Sequence, residues 1–122
     1  MTIPDVVAAA RRLVPQIVAT REEAERLRQV PQALSDALAA AGMYQMFLPR
    51  SLGGLELPPR TVFEAVETVS AADGSVGWCV INGNFPAYFS AWLAPMWRAT
   101  CSAPRRPCGQ QVRYDRKAVR GP

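Results

Sequence analysis

Few residues in this sequence combine a reactive side chain with the spacing of a chemical site. The chain has no histidine, which removes the commonest general base and excludes hydrolases that pair a serine or cysteine with histidine. Cys79, Cys101 and Cys108 lack the spacing of zinc ligands. Glu64 and Glu67 lie three residues apart on a predicted helix, where a solvated helix face explains them. The residue types therefore predict neither a hydrolase nor a metal site.

The glycine pair Gly53-Gly54 is the feature that comes nearest to a phosphate-binding loop. Its surroundings lack both the G-x-G-x-x-G pattern and the Lys-Ser/Thr that follows the glycines of a P-loop. Tight turns are a far commoner cause of such pairs. We therefore expect a loop between helices, in which the glycines permit backbone angles closed to other residues.

Length and composition indicate one globular domain. The chain has 122 residues, of which 49% are hydrophobic, and this is enough for a modest core. The segment 74–97 carries no charge and is long enough to span a bilayer. Its asparagines and prolines would leave backbone groups unsatisfied in lipid, so we expect a buried segment of a soluble protein. Residues 1–5 are too short and too polar for a signal sequence, so we expect a cytoplasmic location.

Charge divides the chain into two parts. Residues 1–97 carry seven arginines against nine acidic residues, a net −2, whereas residues 98–122 carry seven basic residues against one acidic residue, a net +6. A basic tail can bind nucleic acid, but Tyr114 alone is too few aromatics for a stacking platform. The tail is also rich in the residues that GC-rich DNA encodes in a shifted frame. We predict an irregular basic tail over residues 96–122, with a frameshift as the hypothesis for its origin.

Hydrophobic periodicity over residues 1–95 predicts an all-α fold, a small orthogonal bundle of four to five helices. Pro15 is expected to kink or split the first helix, and Gly42 to end the second in a left-handed conformation. Asn82-Gly83-Asn84 is expected to interrupt the helix that begins near Ser75. The predicted helices cover, in order, residues 4–30, 31–41, 59–72, 75–81 and 85–93.

Three short motifs follow one another along these helices. They are Ala40-Ala41-Gly42, then Pro49-Arg50-Ser51-Leu52-Gly53-Gly54, then Ala72-Asp73-Gly74-Ser75-Val76-Gly77-Trp78. In this order and at these intervals they resemble the N-terminal helical domain of the acyl-CoA dehydrogenase superfamily, which includes flavin-dependent monooxygenases. The resemblance covers nearly all of residues 1–95. The second and third motifs are more similar to the monooxygenase-like branch than to the classical fatty-acyl branch.

The resemblance implies a flavin-dependent oxidoreductase that either dehydrogenates an acyl-CoA or oxygenates a small organic substrate. FAD or FMN is the cofactor of the full-length family, which forms homo-oligomers. This domain supplies one wall of the pocket, with Trp78 and Asn82 toward the flavin and Ser75 and Asn84 toward the substrate. The family's catalytic glutamate and most flavin contacts belong to its other domains. We therefore expect no catalytic residue, no activity and little or no flavin binding in this chain alone.

The same residues have plainer explanations. Trp78 lies on an apolar helix and could belong to the core. Ser75 could cap the helix, and Asn82 and Asn84 could mark a break in it. Two other function classes also stay open. The chain could be a small helical nucleic-acid-binding protein that uses its basic tail, although we do not expect this. It could also be a helical module that pairs through an exposed apolar face.

Overall fold

In the computed structural model of the chain, residues 5–89 and Trp92 are described. This part contains five α-helices, one single-turn 3-10 helix at Arg50–Leu52 and no strand, which confirms the all-α prediction. The predicted boundary after residue 95, the tail 96–122 and two of the three cysteines lie outside the described residues. The helices are α1 (Val6–Ala19), α2 (Arg21–Leu27), α3 (Gln32–Ala40), α4 (Pro59–Ala72) and α5 (Gly74–Phe89).

The first predicted helix is two helices, and they separate at Thr20 rather than at Pro15. Pro15 lies inside α1 with its ring exposed. At Thr20 the hydroxyl donates to the carbonyl oxygens of Gln16 and Ile17, at 2.9 and 3.2 Å. Hydrogen bonds from a threonine side chain to preceding carbonyls compete with the regular helix ladder. The side chain of Thr20 therefore marks the end of α1, and α2 begins at the next residue.

Both α2 and α3 end in a left-handed residue. At the end of α3, Gly42 has φ 77°, as predicted, and Met43 N donates to the carbonyl oxygen of Leu38 at 3.0 Å. At the end of α2 the left-handed residue is Arg28, with φ 52°. A side chain with a β-carbon is strained in this conformation, which glycine usually supplies.

The two glycines of the loop after α3 serve different needs. Gly53 has φ 83°, a left-handed angle. Gly54 has no positive φ, but a β-carbon there would lie 2.1 Å from the carbonyl oxygen of Leu48. The close approach lets Glu56 N donate to that oxygen at 3.0 Å, while Leu57 N donates to the carbonyl oxygen of Met46 at 2.9 Å. The predicted turn is confirmed, and only its first glycine needs an angle closed to other residues.

The core lies between α1, α4 and the loop of residues 43–48, with α5 packed on α4. The predicted interruption of α5 at residues 82–84 is wrong, because the helix is continuous. Gly83 gives the ring of Tyr44 room, since a β-carbon at residue 83 would lie 2.7 Å from that ring. Although α5 carries no charge, no helix in residues 5–89 is long and apolar enough to cross a membrane. The largest fully buried side chains include Ile17, Leu34, Leu38, Met43, Met46, Leu48, Val62, Val69 and Val80.

Candidate functional site

A groove of about 780 Å³ separates α2 from the junction of α4 and α5. It brings together Ser75 and Trp78, two of the four predicted site residues, and it is not lined by Asn82 or Asn84. The remaining lining comes from segments far apart in sequence, which is why residue spacing does not reveal it. Its other polar side chains belong to Arg21, Glu25, Arg28, Gln29, Ser70, Asp73 and Cys79.

Asp73 lines the groove and caps the N-terminus of α5. Its carboxylate oxygen accepts hydrogen bonds from Ser75 N at 2.8 Å, Ser75 Oγ at 2.6 Å and Val76 N at 3.4 Å. Next to it, Arg21 donates from Nε and Nη2 to the carbonyl oxygen of Ala72. Asp73 thus caps the start of α5, and Arg21 bonds the end of α4. These hydrogen bonds hold the junction between the two helices in place. The explanation of Ser75 as the helix cap is therefore wrong, because Asp73 is the cap and the Ser75 hydroxyl donates to its carboxylate.

The same contacts set the pKa of Asp73. Burial is the largest single influence and raises the pKa of this carboxyl group. The hydrogen bonds from Ser75 and Val76 and the charge of Arg21 lower the pKa. Their combined effect is larger than that of burial, so the pKa lies below its ordinary value of 3.8. A carboxylate whose pKa is depressed by folding stabilises the folded state in its ionised form.

Asp73→Asn is expected to remove a pH-dependent part of the stability. In the parent chain this part is fully present above the ordinary pKa of 3.8 and disappears as pH falls through the lower pKa of the folded state. The variant should also lose about 1 kcal/mol through a weaker cap. Urea unfolding at a series of acidic pH values measures both effects. Ser75→Ala, which removes one donor, should show a smaller change, and identical pH profiles for Asp73→Asn and the parent chain would contradict the assignment.

Trp78 stands on the outer surface of α5. Its side chain is 68% exposed, whereas its neighbours Val76, Gly77 and Val80 are buried. The explanation of Trp78 as core is therefore wrong. The indole lies at the edge of the groove and offers a flat apolar surface together with one N–H donor.

The two asparagines occupy different environments. Asn82 is half-buried one turn after Trp78, and its Nδ2 donates to the carbonyl oxygen of Trp78 at 2.9 Å. Asn84 is fully buried. Its Nδ2 donates to the carbonyl oxygens of Met43 and Val80, at 2.7 and 2.8 Å, and its Oδ1 accepts from Phe47 N at 3.2 Å. The amide of Asn84 thus ties the loop of residues 43–48 to α5.

The outer face of α5 carries two aromatic side chains in addition to Trp78, and neither was among the predicted site residues. Phe85 and Phe89 follow Trp78 and Asn82 at alternating spacings of three and four residues, and they are 47% and 57% exposed. Residues at such spacings share one helix face. The spacing is visible in the sequence, but the burial of the opposite face at Val80 and Ala87 comes only from the fold.

The comparison with known protein families agrees with this architecture. The profile described as acyl-CoA dehydrogenase, N-terminal domain, matches residues 5–89. The matched residues are the five helices and the groove between them. No solved structure gives a significant match to the chain.

Several curated relatives are named as monooxygenases. An indole-3-acetate monooxygenase of Pseudomonas putida is 39% identical over 69 residues, which cover 57% of this chain and 18% of the relative. Flavin-dependent monooxygenase, oxygenase subunit HsaA, of Mycobacterium tuberculosis is 34% identical, and dibenzothiophene monooxygenase of Rhodococcus erythropolis is 37% identical. Each of these two matches covers 73 residues, 60% of this chain and 18% of the relative.

The matched part of the chain spans less than a fifth of these relatives. The profile match covers well over half of the chain and includes every helix described above. On this ground the chain belongs to the acyl-CoA dehydrogenase N-terminal domain family.

Proposed function

We propose that this chain is the N-terminal domain of a flavin-dependent monooxygenase acting on a small aromatic compound. The outer face of α5 forms one wall of the flavin and substrate pocket. The observation that carries the proposal is the exposure of Trp78, a large apolar ring left in water on a helix whose other face is buried. The relatives support the chemistry, because the names of two of them contain fused-ring aromatic substrates, indole-3-acetate and dibenzothiophene. In this proposal the whole enzyme is a homo-oligomer, as the sequence resemblance implies, and it is located in the cytoplasm.

The residues of this wall fit a flavin. An indole stacks on a flat conjugated ring, and an amide one helical turn away can hydrogen-bond a ring carbonyl or nitrogen. Trp78 and Asn82 are the residues we assign to the flavin, and Ser75, at the groove, to the substrate. The bound flavin would supply the activation of oxygen. The hydrogen bonds of Asn84 favour a structural role instead, and we leave it out of the wall.

A chimeric enzyme tests the proposal. Residues 1–89 replace the corresponding segment of the Pseudomonas putida indole-3-acetate monooxygenase, and aromatic oxygenation is measured with reduced flavin. We expect activity, and we expect Trp78→Ala to lower kcat/KM by up to about tenfold, the loss of one good stacking contact. Trp78→Phe should keep most of the activity. Val18→Ala is the control, since Val18 is 46% exposed on α1.

Two results would overturn the proposal. One is a chimera that folds and binds flavin but does not oxygenate an aromatic compound, which would favour the dehydrogenase alternative. The other is a Trp78→Ala variant as active as its parent. For the chain alone, titration with FAD or FMN should leave flavin fluorescence almost unchanged. Tight stoichiometric binding would contradict our assignment of most flavin contacts to other domains.

A further inference from the structure

We propose that Arg28 is a specificity-determining residue, which binds the carboxylate of an aromatic carboxylic acid in the groove beside Trp78. The inference rests on the proposed function, because it takes the ring of the substrate to lie against this indole. It adds a negatively charged group to the molecule that the site recognises. The described residues that line the groove lie between Arg21 and Cys79, so this domain can be tested for binding without its flavin.

The backbone of Arg28 is strained at the end of α2. Its φ is 52°, in the left-handed region that glycine usually supplies at the end of a helix. The β-carbon of any other residue is crowded in this conformation by the following carbonyl oxygen. Strained residues of this kind collect at functional sites. Because the side chain of Arg28 lines the groove, the strain coincides with a charged group that faces a cavity.

The guanidinium of Arg28 is available to a ligand. The groove contains a second arginine, Arg21, but this side chain donates to the carbonyl oxygen of Ala72. The carboxylate of Asp73 accepts hydrogen bonds from the start of α5. In the part of the chain that the structure describes, no ion pair involves Arg28. A carboxylate is a natural partner for this planar group of donors, because its two oxygens match the guanidinium fork.

Glu25 limits the negative charge that the groove accepts. Its side chain also lines the groove, and no ion pair between described residues involves it. Since Coulomb repulsion grows with the charge of the ligand, Glu25 opposes a doubly charged phosphate monoester more than a singly charged carboxylate. Arg28 and Glu25 together therefore favour a carboxylate over a phosphate.

Trp78 supplies the apolar contact that an aromatic acid also needs. Its indole is 68% exposed and lies at the edge of the same groove. A flat ring stacks on such a surface. Binding sites for small molecules combine an apolar surface with a few polar groups and occupy about 300–1,000 Å³, and this groove measures about 780 Å³. A molecule that carries both a ring and a carboxylate can use both side chains.

An NMR titration of the full chain tests the inference with two matched probes, 2-naphthoate and the uncharged 2-naphthamide. Both should shift the indole N–H signal of Trp78, which the Trp78→Phe variant identifies. We expect 2-naphthoate to bind about fivefold more tightly, the preference that one exposed ion pair can supply. Added salt should reduce this preference, because it screens exposed charges.

Three variants locate the charge. Arg28→Gly should abolish the preference for 2-naphthoate and leave the affinity for 2-naphthamide unchanged. Because glycine relieves the strain, the same variant should unfold at a higher urea concentration, so its loss of binding would not reflect unfolding. Glu25→Gln should bind 2-naphthoate more tightly, since a like charge is removed. The control is Arg26→Gln, which removes an exposed positive charge from α2 outside the described lining of the groove.

Three results would overturn the inference. The first is equal affinity for the two probes, or no shift of the Trp78 signal at about 10 mM of either. The second is a preference that survives Arg28→Gly, or that Arg26→Gln abolishes equally. The third is 2-naphthyl phosphate that binds more tightly than 2-naphthoate, which would make a phosphate the ligand. Binding without activity in the chimeric enzyme would count against the proposed function alone, and activity without the preference against this inference alone.

Discussion

Gly77→Ala is expected to destabilise the domain by about 3 kcal/mol, the upper range for overpacking a close contact. A β-carbon at residue 77 would lie 1.9 Å from Ser70 Oγ, 2.8 Å from Ser70 Cβ and 2.9 Å from Ser70 Cα. Rotating the hydroxyl group away relieves only the first contact. Because the other two involve atoms close to the backbone, α5 must move away from α4. Urea unfolding measures the change in the free energy of unfolding.

Gly74→Ala is the matched control on the same helix. A β-carbon at residue 74 meets nothing within 4 Å, so we expect no loss of stability. Because alanine restricts the unfolded chain, we expect a gain of about a few tenths of a kcal/mol. If Gly77→Ala is too unstable to measure, Ser70→Gly combined with it removes the contacts to Oγ and Cβ and should restore part of the stability. Equal stability of the two alanine variants would contradict this explanation of Gly77.

This contact gives the Ser75-Val76-Gly77-Trp78 motif a physical meaning. Ser75 bonds the cap of α5, Val76 enters the core, Gly77 lets α5 approach α4, and Trp78 points outward. This one turn of helix therefore determines where α5 begins, how closely α5 packs on α4 and which ring α5 exposes. The first three roles stabilise the domain without any ligand, whereas the exposure of Trp78 contributes nothing to the core. That difference is why we assign function to Trp78.

The sequence predicted those parts of the fold that depend on local interactions. The bounds of α4 at Pro59–Ala72 follow from a proline at the first position and an apolar stripe, and Gly42 follows from the geometry of a helix end. The continuity of α5 could not be predicted in this way. Asn84 bonds Phe47 and Met43, which lie 37 and 41 residues away. When only the sequence is considered, the amide of Asn84 suggests a helix break, because the side chain of an asparagine usually bonds to nearby backbone groups.

The candidate site was only partly predictable for the same reason. The motif order named Trp78, but an uncharged helix suggests burial on all sides, and its exposure depends on which face α4 covers. The groove beside Trp78 needs the contact between Arg21 and Ala72, 51 residues apart. The rings of Phe47, Phe63 and Tyr88 likewise meet across separate segments. No spacing rule within one helix brings such residues together.

Asn84→Leu is expected to cost about 3–5 kcal/mol, more than any other single change to α5 that we propose. Leucine fills a similar volume but neither donates nor accepts. The carbonyl oxygen of Met43 and the N–H of Phe47 would each lose the partner they have in the folded domain. Leaving a buried polar group without a partner costs about 1–3 kcal/mol for each group. Urea unfolding again measures the loss.

Asn82→Leu is the matched control, because the Asn82 amide donates to the carbonyl oxygen of Trp78 within the same helix. Its effect should stay within about 0.5 kcal/mol, as for most partly exposed positions. Comparable losses for the two leucine variants would show that helix propensity, rather than the bond to the loop, determines the effect. Since Asn84 holds Phe47 N, Asn84→Leu should also loosen the loop of residues 43–48 against α5, while Asn82→Leu leaves it in place. The buried amide of Asn84 would then connect the stability of the core to the position of this loop.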